Sequence, residues 1–204
     1  MKNDLTKYNA VRDDLHTGDV ITFAGSGLVS LVIRLATQRS HVALVVRLRD
    51  YEGDEKRRFI LEANGIHGIS LHLLSSRLRE YSGKAWWLQL REEFSPVRPY
   101  IGTWAFAQIG TSYDYPGLFL NALGRVSDNA RAYFCSEYAW LAIRQGMSKA
   151  AAVSFLNASH ESDYEMADLR QRIFRDFKRI GMKAARPGDF LKFTSTFKPE
   201  VPIL

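Results

Sequence analysis

An α+β fold is what this sequence predicts, on three observations. The first ninety residues hold short apolar or β-branched runs, "VITF", "SHVALVVRL", "FILEAN", "GISLHLL" and "KAWWLQL", set apart by Gly, Asp and polar clusters. Beyond residue 100 the apolar residues instead recur at helical spacing in longer segments. Strands that follow one another through short turns pair antiparallel. The expected architecture is therefore a small antiparallel sheet or half-barrel packed against helices. At 204 residues, one such domain spanning 1–204 accounts for the whole chain. A hydrophobic content of 46% with 12% aromatics excludes a disordered chain.

Each element has its own warrant. A Gly-Asp turn at 18–19 precedes the first strand, Val20 to Phe23, and "GSG" at 25–27 ends it. Leu28, Leu31, Val32 and Leu35 then mark a short amphipathic helix, capped by Ser26 or Gly27. In "SHVALVVRL", His41, Ala43 and Val45 share one strand face. After a polar turn, "FILEAN" returns with Ile60 and Glu62 on one face. Two further strands flank the helical "SSRLREY". Trp86 and Trp87 are adjacent in the second, so they face opposite ways, with core-related roles for both favoured over one core and one cleft-lining role. Pro96 and Pro99 precede a helix closed by Gly110. A helix from about Phe134 stops at Gly146, and "SDYE" at 162–165 reads as the capping box of a basic helix over 162–180, with Leu169, Ile173, Phe177 and Ile180 buried. A turn and a last strand in "RPGDFLKF" complete the order, and the two Gly-Asp turns read as punctuation.

Several function classes drop out. The longest apolar run, "VALVV", is far short of the roughly 20 residues of a membrane-spanning helix, and the charged start "MKNDLTKYNAVRDD" has no apolar signal core, so the expected location is the cytoplasm. A formal charge of +6 favours weak electrostatic contact with anionic polymer or lipid, with no specific nucleic acid expected. His67 and His72 do not have a zinc-ligand spacing, His160 lies among acids that complement a helix N-terminus, and "GSG" lacks the lysine of a phosphate loop. No metal or other cofactor is expected.

The single cysteine, Cys135, stands at the start of a helix, in "RAYFCSEYAWLAIRQG". Its stripe continues through Ala139, Ala142 and Ile143. Unpaired amides and a positive dipole end favour a thiolate there and could hold an oxyanion. An inert, buried thiol fits the same position. A nucleophile needs a base and a group to orient that base. His41 opens a buried strand, and Glu62 on the next strand needs a partner because an unpaired buried charge is costly. The pair fits catalysis and plain structure alike.

The ordered set "TGDVITFAGSGLVSLVIRLATQRSHVALVV", "ILEA", "GTSYDYPGLF", "YFCSEYAWLA" and "ARPGDFLKF" resembles the permuted branch of the NlpC-type papain-like cysteine peptidase superfamily, of the YiiX and YebB sort. In that branch the histidine precedes the cysteine because the chain is circularly permuted about one spatial site. The resemblance implies a papain-like fold in which the nucleophile helix brings its N-terminus to the edge of a cleft. It implies Cys135 as nucleophile, His41 as general base and acid, and Glu62 as the group orienting His41. It also implies Tyr113 at the oxyanion or substrate site, with Tyr115 a competitor. The hydroxyl-rich loop that holds them offers Asp114 to an amine-bearing substrate. The expected activity is a thiol hydrolase passing through a Cys135 acyl-enzyme on peptide-like amides, cell-wall peptides included. Two alternatives stand beside it: lipid acyl chemistry of the lecithin:retinol acyltransferase type, and a non-catalytic module that binds nucleic acid or anionic polymer through the basic helix.

Overall fold

The computed structural model describes residues 3–25, 38–51, 53, 56–65, 67–113, 132–133, 135–156, 160–179 and 186–204. The sequence-expected helix at 28–38 falls almost entirely outside them, as do Asp114, Tyr115 and most of the loop that holds them. Strands β1 (Val20–Gly25), β2 (His41–Val46), β3 (Phe59–Asn64), β4 (Gly68–Leu73), β5 (Gly83–Leu88) and β8 (Val201–Pro202) form a six-stranded sheet in the order β4-β3-β2-β1-β5-β8. Every pairing in it is antiparallel. A separate parallel pair joins β6 (Ser112–Tyr113) to β7 (Ala132–Tyr133).

Both faces of the sheet are covered, which is why the central strands read as nearly continuous apolar runs. On one face Val20, Val42, Leu44, Val46, Leu61 and Ala63 pack against the helices α3 (Arg98–Phe106), α4 (Cys135–Leu156) and α5 (His160–Arg179). On the other face Ile21, Phe23, Ala43, Val45 and Ile60 meet α1 (Thr6–Val11), α2 (Leu74–Glu80) and Ile203. Trp87 is buried in this second core, whereas Trp86 is half-buried under the Arg39 guanidinium, 3.6 Å from its ring centroid.

Three sequence expectations are corrected. Gly146 does not stop α4, which runs on to Leu156. A Cβ at Gly146 would lie 2.7 Å from the Ile101 backbone nitrogen, so the glycine is there to let α3 and α4 touch. Second, α5 begins at His160, which puts Ser162 inside the first turn instead of capping it; the acids Glu161 and Asp163 still fall where the helix dipole favours them. Third, "RPGDFLKF" forms a 3-10 turn over Pro187–Lys192 with no strand. There Asp189 accepts from the Arg186 backbone amide, and the terminal strand comes later, at Val201.

The first Gly-Asp turn is more than punctuation. Asp19 is fully buried and accepts hydrogen bonds from the His16 and Leu90 amides, Trp87 Nε1 and Arg98 Nη1, at 2.9, 3.0, 2.9 and 2.7 Å. Burial pushes its carboxyl upward, against the pull of Arg98. This hub ties the chain before β1 to the end of β5 and to α3. Gly18 beside it has φ +92°, a conformation a side chain would strain.

Candidate active site

The approach to His41 is held by its two predecessors. Ser40 Oγ donates to the Phe23 carbonyl at 3.2 Å and accepts from the Gly25 amide at 3.0 Å, which fixes the entry of β2 against the end of β1. Arg39 is buried, with Nη2 on the Glu200 carboxylate at 2.5 and 2.8 Å and Nε on Thr22 Oγ1 at 3.3 Å. His41 thus leaves a pinned segment as the first residue of a central strand, opposite Phe23, with ring centroids 5.7 Å apart.

Strand alternation places His41 in phase with Ala43 and Val45, and Glu62 in phase with Ile60. The register sets Val45 opposite Ile60, so Ala43 faces Glu62 and His41 is its diagonal neighbour. The two side chains meet, with His41 Nε2 and Glu62 Oε2 2.5 Å apart. The other partner of His41 is the Cys135 sulfur, whose charge and side-chain hydrogen bond both act on the imidazole. Cys135 is the first residue of α4 and is buried. The helix packs its Ala139, Ala142 and Ile143 stripe on the face bearing Val42 and Leu44. Cysteine and histidine therefore meet at the end of β2, where helix and strand both begin.

Burial opposes charge on His41, but the Cys135 sulfur and the Glu62 carboxylate outweigh it and raise the imidazole to about 10. Glu62 shows the converse: burial pushes it up, yet the bond and charge of His41, then Arg77, bring it down to about 2. Its side chain is only 2% exposed, so these partners are what make an ionised carboxylate tolerable there.

Two of those neighbours were not anticipated from the sequence. Arg77 of α2 places Nε 2.9 Å from Glu62 Oε1, while its guanidinium lies over the rings of Phe23 and Tyr81. His72 Nε2 is 3.7 Å from the same oxygen and 2.8 Å from Ser70 Oγ. Nothing in "SSRLREY" distinguishes Arg77 from Arg79; only the packing of Arg77 over Phe23 and Tyr81 does.

Tyr113 is placed by its backbone. Residues 110 and 111 are sewn to the start of β4 by the Ile69 amide on the Thr111 carbonyl, 2.9 Å, and the Gly110 amide on the Ile69 carbonyl, 3.0 Å. The contact is so close that a Cβ on Gly68 would sit 2.1 Å from the Thr111 oxygen. Tyr113 then pairs with Tyr133, two residues before Cys135.

Such a sheet, with a cysteine-bearing helix start against a histidine-bearing strand, defines a mixed α+β protein of YiiX-like, papain-like fold. The structure resembles a solved one, the metalloprotein YiiX of Escherichia coli O157:H7 (DUF1105), with a TM-score of 0.52 at 21% sequence identity, over 65% of this chain and 67% of that one. No family model matches this chain, and no curated protein sequence does.

Proposed function

We propose that this protein is a thiol hydrolase working through a Cys135 acyl-enzyme, with peptide-like amides, short cell-wall peptides among them, as its first substrate class. The observation that carries the reading is the unbroken hydrogen-bonded series from the Cys135 sulfur through His41 to the buried Glu62. A histidine raised well above its ordinary value next to a thiol at a helix start favours an imidazolium–thiolate pair. In the forward step the sulfur bonds to the scissile carbonyl carbon, and the first amides of α4 meet the developing oxyanion. Collapse breaks the carbon–nitrogen bond as His41 gives its proton to the leaving amine. Water then attacks the thioester while His41 takes its proton, and the acid and the free cysteine are restored. Glu62 holds the ring in the tautomer and orientation both steps need. In this reading Tyr113 serves the oxyanion or substrate side, and Asp114 and Tyr115 serve substrate binding.

YiiX is described as a metalloprotein, and the donor set here does not suit a cation. Glu62 spends one oxygen on His41 and the other on the cationic Arg77, and among the described residues no group of three His, Cys, Asp or Glu side chains is arranged to hold an ion.

The test is trapping with a panel of peptidyl and acyl electrophiles, read by mass spectrometry, alongside turnover of lysine-containing peptide amides and of phospholipid vesicles. Adducts should map to Cys135. Cys135→Ala and His41→Ala should each lose nearly all turnover, since the two act as one unit, and Glu62→Gln should keep a measurable part. Undiminished turnover in a folded Cys135→Ala protein would end the proposal, and a long acyl chain on Cys135 with preference for vesicles would move the substrate class to lipids.

A further inference from the structure

Resting on the thiol-hydrolase reading, we propose that Arg77 is a positioning residue of this site, clamping Glu62 from behind so that the carboxylate keeps one fixed orientation and its charge while His41 gains and loses its proton. A carboxylate that orients a catalytic imidazole has two ways to fail. It can rotate away when the imidazole is neutral, or it can take a proton itself and present a hydroxyl where an acceptor is needed. Inside the fold both are encouraged, because Glu62 is almost completely removed from water.

The surroundings of Glu62 oppose both failures. Its two oxygens are divided between partners: Oε2 to His41 Nε2 at 2.5 Å and Oε1 to Arg77 Nε at 2.9 Å. A guanidinium keeps its charge at every working pH, so Oε1 stays anchored whatever the state of His41. Arg77 is itself held, with its guanidinium carbon 5.6 Å from the Phe23 ring centroid and 5.1 Å from that of Tyr81. Those rings pack against each other tilted by 57°, with centroids 4.9 Å apart, and Phe23 also packs on His41. One aromatic platform thus carries both the arginine and the base. Among the described residues, the charged and titratable groups facing Glu62 are His41 from β2, His72 from β4 and Arg77 from α2, with Cys135 of α4 acting through His41. His72 is the weaker partner, since its Nε2 lies at 3.7 Å and is turned to Ser70 Oγ.

The proposal is tested on the full chain with Arg77→Met, which keeps an unbranched side chain over Phe23 and Tyr81, and Arg77→Lys, which keeps the charge and loses the fork. Carbon-13 NMR of the Glu62 carboxyl and nitrogen-15 NMR of His41 report the site without any need for turnover. In Arg77→Met the proton affinity of Glu62 should rise at least tenfold, a titration displaced upward by one pH unit or more, and in Arg77→Lys by less. On the best substrate, kcat should fall more than about tenfold in Arg77→Met, below the ~10²–10⁴ that acid–base catalysis itself supplies. KM should stay within twofold and lysine should recover part of the loss. An unchanged Glu62 titration in either folded variant overturns the proposal, as does a loss seen only in KM. If Arg77→Met does not fold, the lysine variant alone decides by the same titration. Absence of turnover in the wild-type protein would count against the hydrolase reading, while the Glu62 titration would still decide the clamp.

Discussion

Asp19 and Glu62 are both buried carboxylates beside an arginine, yet they serve different ends. Among the described residues Asp19 accepts from two backbone amides, Trp87 and Arg98, so it holds the fold. Replacing it with alanine strands the Arg98 charge, a tryptophan N–H and two amides inside the protein. Breaking a buried pair from one side costs about 3–5 kcal/mol, and Asp19→Ala should lose stability in that range by urea unfolding. A loss under about 1 kcal/mol would mean that water reaches the hub. Glu62 turns one oxygen to a histidine that is itself bonded to a thiol, and that single contact separates a structural carboxylate from a candidate catalytic one. The sequence placed Glu62 on the right strand and face. It contained no sign that Asp19 was more than a turn residue, because a Gly-Asp turn looks the same whether it lies in solvent or under a helix.

At the scale of elements, the meeting of α3 and α4 depends on one missing side chain. Alanine is the better helix former by about 1 kcal/mol, so on propensity alone Gly146→Ala would stabilise α4. The structure predicts the reverse. A methyl at 146 would press on the Ile101 backbone nitrogen and Cα at 2.7 and 2.8 Å, and backbone cannot turn aside as a flexible side-chain end can. The expected result is a net loss of about 1–3 kcal/mol, the usual cost of overpacking, seen as a lower Tm with helix content unchanged. A stabilised variant would show that the helices separate without cost. Reading Gly146 as a stop followed from the ordinary use of glycine after a helix. What overrode it was a neighbour 45 positions away in sequence.

Across the whole molecule, the His41–Glu62 pair should couple stability to pH. His41 is raised to about 10 from an ordinary 6.5, so its contribution is complete below about pH 6.5 and is lost as pH rises toward 10. Glu62 is lowered to about 2 from 4.5, so its contribution is complete above about pH 4.5 and is lost as pH falls toward 2. The destabilisation caused by Glu62→Gln, taken as the difference from wild type so that other groups cancel, should be largest between about pH 4.5 and 6.5 and shrink on both sides. Chemical unfolding at a series of pH values checks this. A difference independent of pH would mean that the pair is not ionised in the folded protein. The positive charge of the chain bears on encounters more than on this balance. On α5, Arg172 is already engaged with Asp168 at 2.7 Å and Glu93 at 3.0 Å, exposed pairs that contribute little to stability.

The sequence by itself determined the five strands of the first ninety residues, their antiparallel succession, a helix starting about the cysteine and the strand phases that put His41 with Ala43 and Glu62 with Ile60. All of these are local matters of period, turn chemistry and side-chain alternation. Only the tertiary structure decided that both faces of the sheet are covered, that Gly146 is a contact point, that Asp19 is a hub and that Arg77 and His72 stand behind Glu62. Each of these depends on which distant backbone arrives at a given side chain and at what angle. Arg77 and Arg79 differ by two positions on one short helix, and only the packing of α2 against Phe23 and Tyr81 turns the first of them toward a carboxylate fifteen residues earlier in the chain.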